Sequence, residues 1–446
     1  MAKKTKSKIF LPIETQAREL NAKLLIGIIA ANKGFDVYIG WKEYLRKQPI
    51  FCREGYILEK SASPGTLKIF ESLKNKNFKI GVLDEEGLLY LSDLSYAERR
   101  LDCNSLKLAD QIFTWGKRAK NIVEKYVPNE QKKVFATGNP RLDLLQNNFY
   151  QLHQKNLKVI KSKYSKYILI NTSFGICNWK AEISSAEDYL LMMQSIDKLQ
   201  TEEHKNELIS YFAYKLENMY AFKNLILDLA GIYPDLNIIV RPHPVENKQF
   251  WINASHNLRN VKVISEFEVT PWILGADLVI QNDCTTGVEA ALLGTKVINF
   301  VADPIKGNMY ELLRKMTLEA HTSAEVRNIY NNRASNQRKE HEIEFIDDFI
   351  SNFQTNELAA NSIVTHIVNL LENQPKQKYK LKILLSIMVS RLSIMKTPKH
   401  RNNKFPGLKK HELSESIKAL EFSMNVKKTL KIKKISHDLF LLRVRI

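Results

Sequence analysis

Four residues past the middle of the chain, Arg241-Pro242-His243-Pro244, end an apolar β-run that begins at Asn237. An Arg at a strand end offers a phosphoryl group a fixed two-pronged donor, and a His two residues on can donate to the same group. The flanking prolines stiffen the turn and remove backbone donors. A solvated Arg and a structural His are the plainer explanation of such a strand end. A second constellation, Asn282-Asp283-Cys284-Thr285-Thr286-Gly287, follows the run Ala276–Gln281 and leads into a helix starting near Val288. Two hydroxyls and a glycine at the positive end of a helix suit an anion that approaches closely. Glu289, in the first turn, can accept hydrogen bonds from ribose hydroxyls. Thr285 also fits a simple helix cap, and Glu289 simple compensation of the helix dipole.

Carboxylates gather in the first part of the chain. Asp84-Glu85-Glu86 follow the apolar run Lys79–Leu83 and precede Gly87. A carboxylate at a strand end is where a general base, or a nucleophile on a covalent route, would stand. Asp84 and Glu85, nearest the strand, would be held most rigidly, although an acidic surface turn explains the same residues. Glu14, Arg18 and Glu19 occupy the first strand–helix junction with spacings that also fit solvated helix pairs. Asn171-Thr172-Ser173-Phe174-Gly175 offers a phosphate further amide and hydroxyl groups, from Asn171 and Ser173 among others. Thr137-Gly138-Asn139-Pro140-Arg141-Leu142-Asp143 has the composition of an interdomain turn. The sequence holds no GxxxxGK[ST], HExxH or GxSxG, and no DxD in a metal-binding turn, so nothing in it requires a metal or a cofactor.

Strands must carry these groups to a common edge. The apolar pattern predicts strands at Lys8–Pro12, Phe35–Ile39, Gly55–Leu58, Lys79–Leu83, Gln111–Trp115 and Lys133–Thr137, with a helix over Thr15–Lys33. Residues 151–166 are polar and suit a linker. Strands resume at Tyr167–Asn171, Leu236–Arg241, Val261–Ser265, Ala276–Gln281 and Lys296–Phe300, and a long helical stretch runs over Glu203–Tyr233. The alternation implies an α/β protein of two doubly wound Rossmann-like domains, residues 1–150 and 167–345, facing a cleft at the carboxyl ends of their strands. Residues 346–375 are expected to form closing helices.

The 446 residues are 44% hydrophobic and 26% charged, which excludes a disordered, collagenous or coiled-coil chain. The net charge of +19 is unevenly placed: 19 of the 67 Lys and Arg, but only four of the 48 acids, lie in residues 376–446. The globular body is therefore almost neutral, and the basicity belongs to what reads as a C-terminal helical tail. Within it, Leu381–Met395 is apolar but contains Lys382 and Arg391, and is shorter than the ~20 residues of a spanning helix. Such a segment suits an anionic membrane surface. A helical extension packed on the globular body is a second reading of the tail; few aromatics accompany it, so nucleic acid is a poor partner. Four scattered cysteines fit a reducing compartment, and the expectation is a cytoplasmic protein held on the inner face of the cytoplasmic membrane.

Taken together, Glu14-Thr15-x-x-Arg18-Glu19, Asp84-Glu85-Glu86-Gly87-Leu88, Thr137-Gly138-Asn139-Pro140-Arg141-x-Asp143, Arg241-Pro242-His243-Pro244 and the Asn282–Gly294 segment resemble bacterial surface carbohydrate biosynthesis proteins. These are similar to GT-B glycosyltransferases and, more distantly, to capsule Kdo transferases and bacterial sialyltransferases. The resemblance covers about residues 8–345. It implies a GT-B-like fold whose first domain takes the acceptor, a glycan or lipid-linked molecule, and whose second binds a nucleotide sugar. In those relatives a His-Pro motif and a hydroxyl pair bind the cytidine monophosphate part of an activated ulosonic acid. That role would fall here to His243-Pro244 and Thr285-Thr286, with Arg241, Asn171, Ser173, Asn282, Gly287 and Glu289 around the donor. Asp84 or Glu85 would work with His243 in catalysis, and Glu14, Arg18 and Glu19 would face the acceptor. The product would be capsule, lipopolysaccharide or another surface glycan. Two other readings stand beside it. Non-hydrolysing UDP-sugar 2-epimerases share the T-G-N-P turn and a Gly-Glu segment, but usually carry paired glutamates where Glu289 is single. The other is a sugar-nucleotide-binding protein without catalysis.

Overall fold

Strands buried on both faces need near-continuous apolar runs, and the chain supplies them: β1, Lys8–Ile13, reads KIFLPI with five of six residues buried. The computed structural model describes residues 7–47, 55–179, 185–195, 202–303, 310–332, 341–353, 355, 357–372, 405–426, 429–436 and 438–444. The chain forms two units, one of Met1–Leu88, Tyr96–Leu152 and Asp347–Ile446, the other of Leu89–Ser95 and His153–Ile346.

In the first unit β1 is followed by β2 (Asp36–Trp41), β3 (Gly55–Glu59), β4 (Phe78–Leu83), β5 (Gln111–Thr114) and β6 (Val134–Ala136). β2 lies on one side of β1 and β3 to β6 on the other, all parallel, so the winding reverses between β1 and β3. In the second unit β7 (Tyr167–Asn171), β8 (Asn237–Arg241), β9 (Val261–Val263), β10 (Leu278–Gln281), β11 (Val297–Phe300) and β12 (Leu318–Ala320) form a parallel sheet in the order β12-β11-β10-β7-β8-β9. Here the winding reverses between β7 and β10. Ligands in doubly wound sheets bind outside the carboxyl ends of the strands at such a reversal. This is the predicted α/β class with Rossmann-like sheets.

Two regions carry more structure than the sequence reading gives them, although the chain passes from one unit to the other at Leu152–His153, within the expected linker. The expected linker, 151–166, is occupied by a helix, Tyr150–Tyr164, whose Ile160 and Tyr164 are buried in the second unit's core. Its Lys and Gln residues are the outer face of an amphipathic helix, with His153, Leu157, Ile160 and Tyr164 at helical spacing on the inner one.

The basic tail is likewise no loose appendage where it is described. A helix, Lys410–Ser423, leads into the hairpin β13 (Leu430–Ser436) and β14 (Leu439–Val444), and β14 pairs antiparallel with β2 in register Leu439↔Gly40 to Leu442↔Val37. Leu413, Ile417, Leu420, Phe440 and Leu442 are buried, and Arg443 grips the Asp36 carboxylate with two nitrogens, Nε at 2.7 Å. Counting charges concealed this, because LFLLRV is apolar enough to enter a sheet despite its basic surroundings. Gly40 permits the junction: a Cβ there would collide with the Asp438 carbonyl. Leu381–Met395 lies outside the described residues.

The T-G-N-P turn also works inside the first unit. Asn139 caps a short helix by accepting from the Arg141 N–H at 3.0 Å, and Asp143 accepts from the N–H groups of Ala359 and Ala360, both at 2.9 Å. Asp143 thereby caps the Ala359–Glu372 helix, one of the expected closing helices. Burial pushes its carboxyl up to about 6, against the pull of those two N–H groups.

Candidate functional site

Register brings three of the singled-out loops together. Gln281, Asn171 and Arg241, the last residues of β10, β7 and β8, are successive cross-strand partners. The loops that follow therefore leave at one level from adjacent strands, about 4.8 Å apart, at the winding reversal of the second unit. Asn171 is only 4% exposed, and among the described residues neither its amide oxygen nor its nitrogen has a hydrogen-bond partner. The Thr286 hydroxyl is also buried without one. Buried polar groups in native proteins are nearly always satisfied by protein, water or ligand, which makes this edge the candidate binding site.

The Arg-Pro-His-Pro turn is locked by a residue that sequence reasoning passed over. Glu246 is fully buried and accepts from the Thr172 hydroxyl at 2.8 Å, the His243 N–H at 3.0 Å and the Trp251 indole at 3.0 Å. Burial raises its carboxyl, with these donors pulling the other way. Glu246 thus ties the β8 loop to the β7 loop and sets the backbone of His243. The Val245 N–H points at His243 Nδ1 from 3.4 Å. Pro244 is exposed beside it. The only hint in the sequence was an acid three residues after the His.

Other expectations shift. Arg241 donates to the carbonyls of Glu266 at 2.7 Å and Phe267 at 2.5 Å, so it anchors the loop after β9 rather than presenting a free fork. Burial lowers its pKa to about 10. Asn282 is saturated from within, accepting from Lys215 Nζ at 2.6 Å and donating to the Phe300 carbonyl at 3.1 Å. Gly287 does not open a path for phosphate: a Cβ there would meet the Gln281 amide at 2.7 Å, and its N–H is spent on the Cys284 carbonyl. The helix begins at Thr285, three residues before the predicted start, and Glu289 is buried within it.

Lys215, another unforeseen residue, comes from the long Glu202–Ile232 helix and is 1% exposed. Its ammonium lies 5.5 Å from the Phe174 ring and 4.0 Å from Asp283 Oδ2. Tyr214 donates to that same carboxylate at 2.6 Å, holding Asp283 in a left-handed backbone (φ 48°). A lysine among aromatic residues in a long helix gives little sequence signal, because only the fold shows which face is buried.

The first unit's reversal is crowded with charge. Asp84 is gripped by two nitrogens of Arg100, Nε at 3.0 Å, and Glu85, 2% exposed, pairs with the equally buried Lys23 at 3.0 Å. Burial would raise the Glu85 carboxyl, but Lys23, Arg141 and Arg18 lower it. The expectation that Asp84 or Glu85 meets substrate thus falls on groups that are already ion-paired. Both are enclosed in ion pairs, and Glu86, its side chain 47% exposed, is the open one of the three. Burial opposes ionisation of Glu86 too, yet Arg18 at 3.0 Å and Arg100 at 3.2 Å hold it well below the usual carboxylate range.

Glu19 is a helix cap rather than an acceptor-side group: its oxygens accept from the N–H groups of Glu14 at 2.8 Å and Thr15 at 3.1 Å. Burial, then Glu85, raises it. Glu14 pairs with Lys60 and, at 2.9 Å, with Lys42, which outweigh burial and bring it to about 2. Among the described residues no three His, Cys, Asp or Glu side chains converge as a metal cage.

No protein-family model matches the chain, and no curated sequence matches it either. Solved structures do. The wall teichoic acid polymerase TagF, as its H548A variant, superposes with a TM-score of 0.52 at 13% identity, over 84% of this chain and 91% of that one. S. aureus MnaA in its co-structure with UDP gives 0.50 at 13%, over 84% and 100%. A Methanocaldococcus jannaschii UDP-GlcNAc 2-epimerase gives 0.49 at 13%, over 82% and 100%. The fold is GT-B-like. At these identities the likeness is one of fold.

Proposed function

We propose that this chain is a GT-B enzyme that binds a nucleotide-activated sugar on its second unit and transfers the sugar to a glycan or lipid-linked acceptor in surface-polysaccharide synthesis. The observation that carries the reading is that the Asn171 amide and the Thr286 hydroxyl, buried without a hydrogen-bond partner among the described residues, follow strands adjacent to the one that ends in the Arg-Pro-His-Pro turn. A departing nucleotide phosphate needs its growing charge met by prepositioned donors. His243, its backbone fixed by Glu246, is the imidazole donor. Thr285, Thr286 and the start of their helix face the same anion, while Asn171, with Ser173, meets the nucleoside end. On the first unit Glu86 orients the acceptor hydroxyl. Asp84, Glu85, Glu14 and Glu19 act through their ion pairs and caps, and Arg18 holds Glu86. The sequence resemblance favours a CMP-linked donor, an ulosonic acid by type, whereas one solved neighbour is a co-structure with UDP.

Purified protein incubated with CMP-, CDP- and UDP-sugars tests this directly. Transfer releases free nucleotide only when acceptor is added. Epimerisation at C2 without acceptor would instead establish the 2-epimerase reading, which the shared fold and the T-G-N-P turn favour. Thermal stabilisation with no turnover would leave a binding protein.

A membrane-bound acceptor would be reached from a cytoplasmic surface site. Among the described residues no helix is long and apolar enough to cross a membrane. The edge strand β13 exposes Lys431, Lys433 and Lys434, which suit anionic head groups. Full-length protein floated with anionic vesicles should lose binding when these three become Gln.

A further inference from the structure

A cavity of about 810 Å³ lies in the first unit, away from the charged edge. It forms where the Gln16–Asn32 helix ends, and that helix begins at the carboxyl edge of β1. Seventeen residues at 1.5 Å each put the two ends roughly 25 Å apart, so this cavity is separate from the groups around Glu86. Its size falls in the range of small-molecule sites, roughly 300–1,000 Å³.

Side-chain amides make up half of its lining. Six side-chain amides surround it: Asn32, Gln146, Asn147, Asn148, Asn361 and Asn425. Between them Ile29, Leu358, Met424 and Val426 supply aliphatic surface, and Lys33 is the one charged residue in the lining. Two polar atoms of this wall, Gln146 Nε2 and Ser423 Oγ, are buried and have no hydrogen-bond partner among the described residues. Four separate stretches of chain contribute, including the end of the Lys410–Ser423 helix, so the wall is built by tertiary structure rather than by one loop.

An amide donates and accepts side by side, as adjacent hydroxyls of a sugar do. A ring of amides with a single cation selects neither an anion nor a hydrocarbon, and aliphatic side chains fit the C–H faces of a pyranose. We infer that this cavity is a binding site for a neutral oligosaccharide, distinct from the proposed donor and acceptor groups.

The test is titration of the full-length protein with maltotetraose and with the N-acetylglucosamine tetrasaccharide by saturation-transfer NMR, alongside an array of neutral and acidic bacterial glycans. A neutral glycan should bind. The double variant Asn148→Leu/Asn361→Leu, at two exposed positions, should weaken it at least tenfold while keeping its melting temperature and its affinity for CMP and UDP. If that variant melts early, Asn148→Ala alone is read in the same way. The inference is overturned if no neutral glycan binds, if only acidic glycans or nucleotides bind, or if the folded variants bind as the parent does. Because the nucleotide affinities are measured separately, failure here and failure of the transferase reading are distinguishable.

Discussion

At the winding reversal of the first unit, the loops leaving β1 and β4 carry Glu14, Asp84, Glu85 and Glu86, each against a lysine or arginine. At the corresponding reversal of the second, the loops leaving β7, β8 and β10 carry amides, hydroxyls and an imidazole, and two of these groups are buried without a partner. The same topological position is thus charge-paired in one sheet, where Arg18 Nε, Lys23 Nζ and one Glu85 oxygen are nonetheless buried without a hydrogen bond among the described residues, and lined by uncharged amides, hydroxyls and an imidazole in the other. A charge-paired edge stabilises its unit and gives up chemistry except at Glu86. An edge of uncharged polar groups gives up that stability and keeps its capacity to bind.

The contrast should appear first in stability. Glu85→Gln leaves the Lys23 ammonium buried and unpaired, and removing one member of such a pair costs about 3–5 kcal/mol. Urea unfolding should show that loss, and Lys23→Met combined with Glu85→Gln should recover much of it. A Glu85→Gln protein as stable as the parent would mean that the pair is open to water.

Next comes His243→Ala, which should reduce turnover on the order of 10²-fold with an unchanged melting temperature. An unchanged rate would return His243 to a purely structural role and collapse the distinction between the two edges. Asn171→Leu should have the opposite sign from Glu85→Gln. Removing an orphaned amide should stabilise the ligand-free protein by about 1 kcal/mol while weakening nucleotide binding at least tenfold by calorimetry. Destabilisation with intact binding would show that the amide is satisfied by water.

The smallest effect is a pH window. The folded pKa of Glu14, about 2, lies below its ordinary value of 4.5, so its contribution is present above pH 4.5 and disappears as pH falls towards 2. Denaturant midpoints of the parent should therefore decline more steeply over that window than those of Glu14→Gln.

The parallel strands could be read from the sequence because an apolar run such as YILIN or KIGVL, buried on both faces, has few other uses. Register could not, and the site depends on it: only the pairing of Gln281, Asn171 and Arg241 puts three distant loops side by side. The Arg-Pro-His-Pro turn stood out by composition, yet Arg241 proves to be a loop anchor and Glu246 the organiser. Sequence shows which residues can donate, not where their donors are spent. The acids at 84–86 were ranked by closeness to the strand, but closeness brought burial and ion pairing instead of access. Lys23, Arg100 and Lys215 were missed for a related reason, since each is a helix cation whose partner lies far along the chain. Composition leaves packing of the tail and attachment to a membrane side by side, because net charge carries no information about alternation.

The pairing of β14 with β2 sets a timetable for biosynthesis. Gly40 waits for Leu439, its partner roughly 400 residues later. At about 5–20 residues per second, the outer edge of β2 stays open for roughly 20–80 s on the ribosome. An open strand edge is a template for wrong pairing, and so late a contact slows the final closure. Translation speed and chaperone occupancy during that interval should therefore govern the yield of soluble protein more than the strength of the finished sheet does.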